Sequence, residues 1–471
     1  MGSYGAPVTK TFRVETHGCK ANTYDGAALQ QTLTAQGWRR AGKDDAPTVV
    51  IINSCTVTDG ADRQSRKAAA RAKRRNPGAT VVVTGCAAEI SPAMLAASEG
   101  IDLVVGNQDK DRLVELVLQA RQREAAGPLV LGDVAPYTTQ KARHDPARVW
   151  PAMETMTAPR DRGGRARAFL KVQDGCDAFC TFCIIPFARG PARSQPMAQV
   201  VAQVQDLVAT GTQEVVLTAI SLGDYGDDLD PDTALVPLLR RLLDQTSVAG
   251  IRLGSLEPPE ITAELLTLMR ERPRLRPHLH VSLQSPDDRI LKRMKRRYRE
   301  ADVDATLAAI AEADPTIFVG MDVIAGFPGE DTATFERTVA RLDALPWTRL
   351  HVFPYSERAG TAAVRLDGVV EAGVRKERAR RLVALSNMRQ LASAQAVVRR
   401  QLPLPVLVEG PAPASRAPQG WLRGHTPHYS EVVFPDIAGG PWRNKVILVR
   451  PTGARLLPGP GVAVIDGVAA S

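Results

Sequence analysis

Residues 175–183 read Gly175-Cys176-Asp177-Ala178-Phe179-Cys180-Thr181-Phe182-Cys183, three thiols separated first by three residues and then by two. Structural zinc takes four closed ligands, usually as two Cys-x2-Cys pairs, and no fourth cysteine and no His-x3-His pair follows in the chain. Soft thiolates in threes suit a cubane iron–sulfur cluster instead, and a cubane held by three ligands keeps one iron open to a small molecule. A zinc knuckle, or three unrelated buried thiols, is the competing reading.

Outward from this stretch, over residues 164–398, the alternation of strand and helix restarts six times. Short strands are expected at 168–172, 214–217, 251–254, 280–283, 318–323 and 350–353, each followed by turn residues and an amphipathic helix. Six such units predict an incomplete TIM-type barrel whose site lies at the carboxyl ends of the strands, and the cysteine triplet follows the first of them. Ser255, Glu257 and Gln284, just after or at the end of the third and fourth strands, become candidates for binding a cofactor. A carboxylate such as Glu257 accepts from ribose hydroxyls or an ammonium group, and a surface salt bridge is its plainer use.

Residues 9–125 show a second set of alternating units. Val49-Val50-Ile51-Ile52 and Thr80-Val81-Val82-Val83-Thr84 are continuous apolar strands, the signature of a parallel, doubly wound sheet. The first strand ends at Gly18-Cys19, the next runs into Asn53-Ser54-Cys55 and the third into Gly85-Cys86. Ligands gather at the carboxyl ends of such strands, so Cys19, Cys55 and Cys86 are expected at one edge as a second three-thiolate site, with three buried thiols as the alternative. Residues 126–163, rich in Pro and Gly, read as a linker. Residues 401–468, after a long charged helix, hold five short strands with Gly/Pro turns and predict a small β-barrel. The fold class is therefore α/β, with a doubly wound sheet, a partial (β/α)6 barrel and a C-terminal β-barrel.

Sixty basic against 51 acidic residues give a formal net charge of +9, concentrated at 63–75, 160–167, 289–299 and 375–381. Such clusters are footprints for phosphate, or else solvated helix faces. Six cysteines in 471 residues are too few for a disulfide framework and suit a reducing compartment. The first twenty residues lack an apolar h-region, and no uncharged stretch is long enough to span a bilayer, so the expected location is cytoplasmic.

The Cys-x3-Cys-x2-Cys spacing resembles the radical S-adenosylmethionine enzymes. In that family the open iron is chelated by the methionine end of the cofactor, and an electron from the cluster cleaves it to a 5′-deoxyadenosyl radical. Gly18-Cys19-Lys20-Ala21-Asn22, Asn53-Ser54-Cys55-Thr56-Val57-Thr58, Thr84-Gly85-Cys86, and residues 175–186, 288–294, 322–330 and 351–356 together resemble the methylthiotransferases along nearly the whole chain. Lys20, 53–58 and 351–356 resemble most the branch acting on N6-threonylcarbamoyladenosine of tRNA. Pro286, Ala219 and Ala362 depart from the family pattern, all in loops.

The resemblance implies two 4Fe–4S clusters and S-adenosylmethionine. Cys176, Cys180 and Cys183 would be the catalytic ligands, and Cys19, Cys55 and Cys86 the ligands of an auxiliary cluster that carries or donates sulfur. It implies the anticodon loop of tRNA as partner, with an electron donor and a sulfur donor besides. Residues 407–409 and 424–429 resemble a TRAM domain, an RNA-binding barrel in which Trp421, His425 and Tyr429 would stack on splayed bases while Arg423, Arg443 and Lys445 meet phosphates. Branches that modify isopentenyladenosine or a ribosomal-protein aspartate share the chemistry. An RNA-binding protein with structural metal is the alternative of another class.

Overall fold

The computed structural model describes residues 10–42, 44–110, 112–122, 129–131, 150, 153, 166–436, 440–457 and 461–470. Most of the expected linker at 126–163, like most of the basic cluster at 160–167, lies outside them; its residues 129–131 instead form an edge strand of the first sheet. In chain order the strands are β1 Thr11–Thr16, β2 Arg39–Arg40, β3 Val49–Ser54, β4 Thr80–Gly85, β5 Leu103–Val105, β6 Leu129–Leu131, β7 Arg167–Lys171, β8 Gln173–Asp174, β9 Arg193–Ser194 and β10 Glu214–Thr218. They continue with β11 Gly250–Leu253, β12 Ser255–Leu256, β13 His278–Gln284, β14 Phe318–Ala325, β15 Arg349–Pro354, β16 Leu404–Pro411, β17 Trp421–His425, β18 Glu431–Pro435, β19 Val446–Leu456 and β20 Ala463–Ala469.

Contacts divide the chain into two compact units. The first comprises Met1–Gly163, Gln173–Gln195 and Ser356–Val364. Its parallel sheet runs β2-β1-β3-β4-β5-β6. Every residue of β3 is buried, as a continuous Val/Ile run requires when both faces of a parallel sheet are covered. One core gathers around Phe12, Leu33, Ile51 and Leu103, the other around Ile52, Ala68, Val81 and Val83. Helix α1, Lys20–Ala35, follows β1; helix α2, Asp59–Arg75, follows β3 and is capped by Thr58, whose hydroxyl accepts from Ala61 N at 3.2 Å.

The second unit holds Gly164–Val172, Pro196–Tyr355 and Arg365–Ser471. Its parallel strands run β7-β10-β11 and then β12-β13-β14-β15, in sequence order and interrupted only at Gly254. All six expected strands are present. The helix Ala372–Arg399 leads to a closed five-stranded barrel of order β16-β17-β18-β20-β19.

The C-terminal barrel is fastened to the first residues of the parallel strands. Arg252, 2% exposed, donates from Nε to Glu214 Oε1 (2.7 Å) and from its two terminal nitrogens to Pro427 O and Thr426 O (both 2.8 Å). Tyr429 sits with its ring 4.5 Å from His278 and 4.8 Å from His425, and 5.2 and 5.0 Å from the guanidinium groups of Arg167 and Arg252. Arg167 pairs with Glu409 at 2.6 Å, and His425 Nδ1 lies 2.9 Å from the same carboxylate. Burial would raise the pKa of Glu409, but His425, Arg167 and Arg423 hold it down to about 2. His425 and Tyr429 are thus committed to internal packing, which corrects the expectation that these two rings stack on bases; Trp421 is half-buried against the cluster of Ala417, Val433, Leu457 and Val464. Within two of the basic clusters Arg296, Arg375 and Arg378 are buried, while Arg289, Lys292, Lys295, Arg297, Lys376, Arg380 and Arg381 stay exposed.

Candidate functional site

Cys19, Cys55 and Cys86 follow β1, β3 and β4, which are neighbours in the sheet, so the expected edge forms. The backbone around them is stitched together by side chains. Asn22 Nδ2 donates to His17 O (2.8 Å) and Ser54 O (2.7 Å), Asn53 Nδ2 donates to Asn22 O (2.9 Å), and Ser54 Oγ receives Ala87 N at 3.2 Å. All but the Asn22–His17 bond tie the surroundings of one cysteine to those of another. Gly85 stands at φ 97°, and a Cβ there would collide with Ser54 O, so both the angle and the space call for glycine.

Cys19 caps α1 and Cys86 opens the short helix Cys86–Ile90, so both thiols lie where backbone N–H groups have no helical acceptor. Cys55 and Cys86 are buried and Cys19 is exposed. Burial pushes the Cys55 thiol up to about 12, and the neighbouring Cys86 and Cys19 add to it, which marks the three as one electrostatic group. Asn107 Nδ2 approaches Cys86 Sγ at 3.7 Å.

Cys176, Cys180 and Cys183 lie on a loop closed at its base by the antiparallel pair β8 and β9. Cys176 N donates to Gly190 O (3.1 Å), Ala178 N to Cys176 Sγ (3.4 Å), Cys183 N to Cys180 O (3.0 Å) and Ala192 N to Asp177 Oδ2 (2.8 Å). Gly175 has φ 75°, and a Cβ there would collide with Pro191 O. Phe179, itself at φ 48°, packs edge-on to Phe187 with centroids 5.8 Å apart. A non-glycine residue in this region holds strain that the surrounding bonds must maintain.

No disulfide joins any of the six cysteines. Among the described residues no three His, Cys, Asp or Glu side chains converge on a point suited to one metal ion. A cubane makes a different demand, since each thiolate binds a separate iron and the sulfurs stand further apart than the ligands of a single ion. Three soft donors per site and amide groups directed at sulfur fit that group.

Ser255 is the first residue of β12, Glu257 lies just beyond that strand, and Gln284 ends β13. Gln284 has φ 61° next to a register shift in the β13–β14 pairing. Glu257 is paired with Arg296 at 2.8 Å; burial raises its pKa, with Arg296 opposing and Asp224 adding. Sequence reasoning missed a polar set on the same face of this sheet. His280 Nε2 lies 2.9 Å from Asp322 Oδ1, Ser255 Oγ lies 3.4 Å from His280 Nδ1, and the His351 ring stacks on His280 with centroids 5.0 Å apart. The alternating partners Leu279, Val281, Met321 and Val323 are buried and apolar. The period-2 run His278-x-His280-x-Ser282-x-Gln284 was the signal available.

The description "Uncharacterized protein family UPF0004" matches residues 11–106, and "Radical SAM superfamily" matches residues 170–342. The threonylcarbamoyladenosine tRNA methylthiotransferase MtaB of Bacillus subtilis is 37% identical over 427 residues, 90% of each chain. The tRNA-2-methylthio-N(6)-dimethylallyladenosine synthase of Novosphingobium aromaticivorans is 33% identical over 429 residues, 90% of this chain and 91% of its own. Among solved structures, the radical S-adenosylmethionine methyltransferase TsrM of Kitasatospora setae shares the fold with TM-score 0.54 at 17% identity, covering 73% of each chain. The protein is thus an enzyme of the radical S-adenosylmethionine class. Within that class the chain belongs to the methylthiotransferase family. Membership implies S-adenosylmethionine and a 4Fe–4S cluster.

Proposed function

We propose that this enzyme inserts a methylthio group at C2 of N6-threonylcarbamoyladenosine next to the anticodon of tRNA. Five relatives bearing that activity in their names, one of them 37% identical over 90% of the chain, carry the reading. In it Cys176, Cys180 and Cys183 hold the cluster that binds S-adenosylmethionine, with Ser255, Glu257 and Gln284 at the cofactor. Cys19, Cys55 and Cys86 hold a second cluster. When bound, these groups supply a radical able to take hydrogen from an unactivated C–H bond, and a sulfur to replace it.

The chain's own part is to hold the ligands and the base. The Asn22, Asn53 and Ser54 bonds fix one triplet, and the β8–β9 pair closes the loop of the other. The face of Ser255, His280, Asp322 and His351 differs from the aliphatic layers that fill ordinary barrels. It suits a threonylcarbamoyl group, with its carboxylate and hydroxyl, better than a dimethylallyl hydrocarbon. Exposed Lys67, Arg74 and Arg75 on α2 suit tRNA phosphates. The C-terminal barrel is a TRAM module in this reading. An electron donor and a sulfur donor complete the system, which works in the cytoplasm; no helix among the described residues is long and apolar enough to cross a membrane.

The test is the protein loaded anaerobically with iron and sulfide and incubated with tRNA carrying either modified adenosine. Cys176→Ala should abolish cofactor cleavage. Cys55→Ala should keep cleavage and lose methylthiolation. Turnover of dimethylallyl tRNA in preference to the threonylcarbamoyl form would assign the chain to the other branch.

A further inference from the structure

Within the first compact unit, two buried arginines tie together the segments that carry the two cysteine triplets. Arg189, six residues after Cys183, is 2% exposed. It donates from Nη1 to both oxygens of Asp174 (2.9 and 3.1 Å), and from Nη2 to Asn22 Oδ1 (2.6 Å) and Asp25 Oδ2 (3.0 Å). Asp174 lies two residues before Cys176, while Asn22 and Asp25 belong to α1, whose cap is Cys19. The third arm, Nε, is buried without an acceptor among the described residues. Burial would lower the pKa of this guanidinium, yet Asp174, Cys86, Asp25 and Cys19 raise it well above its ordinary value.

Arg358, 7% exposed, repeats the device. Its Nη2 donates to Thr56 Oγ1 and to Asp62 Oδ2 (2.6 Å), and Thr56 directly follows Cys55. The same segment reaches the other triplet, where Ala363 N donates to Thr181 O at 2.8 Å.

Burying a guanidinium is costly, and an apolar contact would hold two segments together at lower cost. What the planar fork adds is a fixed distance and angle between the groups it bridges. We infer that Arg189 and Arg358 are positioning residues that set the separation and orientation of the two triplets, and through them of the two clusters. The inference rests on the reading that both triplets carry clusters. A reaction that activates substrate at one site and takes sulfur from another tolerates little misplacement, about 1 Å being enough to lose about 100-fold in rate.

The test uses the full chain as Arg189→Met, Arg189→Lys and Arg358→Met, each loaded anaerobically with iron and sulfide. Iron per chain, 5′-deoxyadenosine released, methylthiolated product, and the spin–spin broadening of the reduced clusters by EPR are measured together. Iron loading and 5′-deoxyadenosine should stay near wild type, while product per 5′-deoxyadenosine falls by about 10- to 100-fold and the broadening changes. Arg189→Lys keeps the charge but not the fork, and should behave as Arg189→Met does.

Fully loaded Met variants with unchanged broadening and product ratio would overturn the inference. So would loss of iron from either triplet in both Met variants, which would make the arginines folding residues. A wild-type chain that loads iron for a single cluster would defeat the two-cluster reading first, before any variant is compared, and the inference would fall with it.

Discussion

Replacing Arg252 by Met should loosen the C-terminal barrel from the parallel strands. The substitution keeps most of the aliphatic volume and removes three hydrogen bonds, those to Glu214 Oε1, Thr426 O and Pro427 O. Among the described residues Glu214, whose side chain is 3% exposed, is then left with the ion pair to Arg276, at 3.3 Å. Breaking a buried pair by deleting one partner costs roughly 3–5 kcal/mol, and a stranded carbonyl about 1 kcal/mol more. These terms overlap because the groups touch, so about 4 kcal/mol is the working figure.

In a chain of several domains this loss concentrates locally instead of lowering one global melting point. The assay is amide hydrogen exchange at Thr426 and Tyr429, whose N–H groups donate to Ser430 O and Thr426 O within the docked turn. At about 1.4 kcal/mol per tenfold, protection there should fall by about a thousandfold, with cleavage by protease appearing near residues 400–403. Adding Glu214→Leu should recover part of the loss, because no buried charge is then left alone. An Arg252→Met chain with native exchange at both amides would refute the reasoning, since it would mean that the apolar contacts alone hold the barrel.

Three further outcomes follow from particular atoms. Gly175→Ala places a Cβ against Pro191 O at φ 75°, so it should cost at least about 2 kcal/mol and empty the Cys176–Cys183 loop of iron, whereas Gly211→Ala, at φ 85° with open space around it, should cost only about 1 kcal/mol and leave iron unchanged. Burial raises Glu260 to about 7, with its backbone bond opposing and Glu257 and Asp224 adding; a folded-state value above the unfolded 4.5 means stability falls as pH rises from 4.5 to 7, and Glu260→Gln should gain about 2 kcal/mol in a melt at pH 8 and nothing at pH 4. Affinity for tRNA, measured by filter binding, should fall steeply and linearly in log–log form with salt, and Lys67→Ala with Arg74→Ala should flatten that slope.

The fold was legible because its signals are local. The Val/Ile runs of β3 and β4, the Gly-Cys dipeptides at strand ends and the spacing at 176, 180 and 183 each lie within a few residues. The arginine ties were not, because Arg189 meets Asp25 across 164 residues and Arg358 meets Asp62 across 296. His425 and Tyr429 were misjudged for a physical reason: an aromatic beside arginines has the same composition whether it stacks on a base or on a neighbouring domain. The polar set at His280, Asp322 and His351 was not legible because the strand-end rule points to residues after the strands, while this pairing lies inside them.

The central claim is tested most directly by nucleoside mass spectrometry of bulk tRNA from cells with and without this gene. The account predicts that the methylthio mass increment disappears from N6-threonylcarbamoyladenosine alone, leaving isopentenyladenosine derivatives untouched. An unchanged threonylcarbamoyladenosine profile would contradict it.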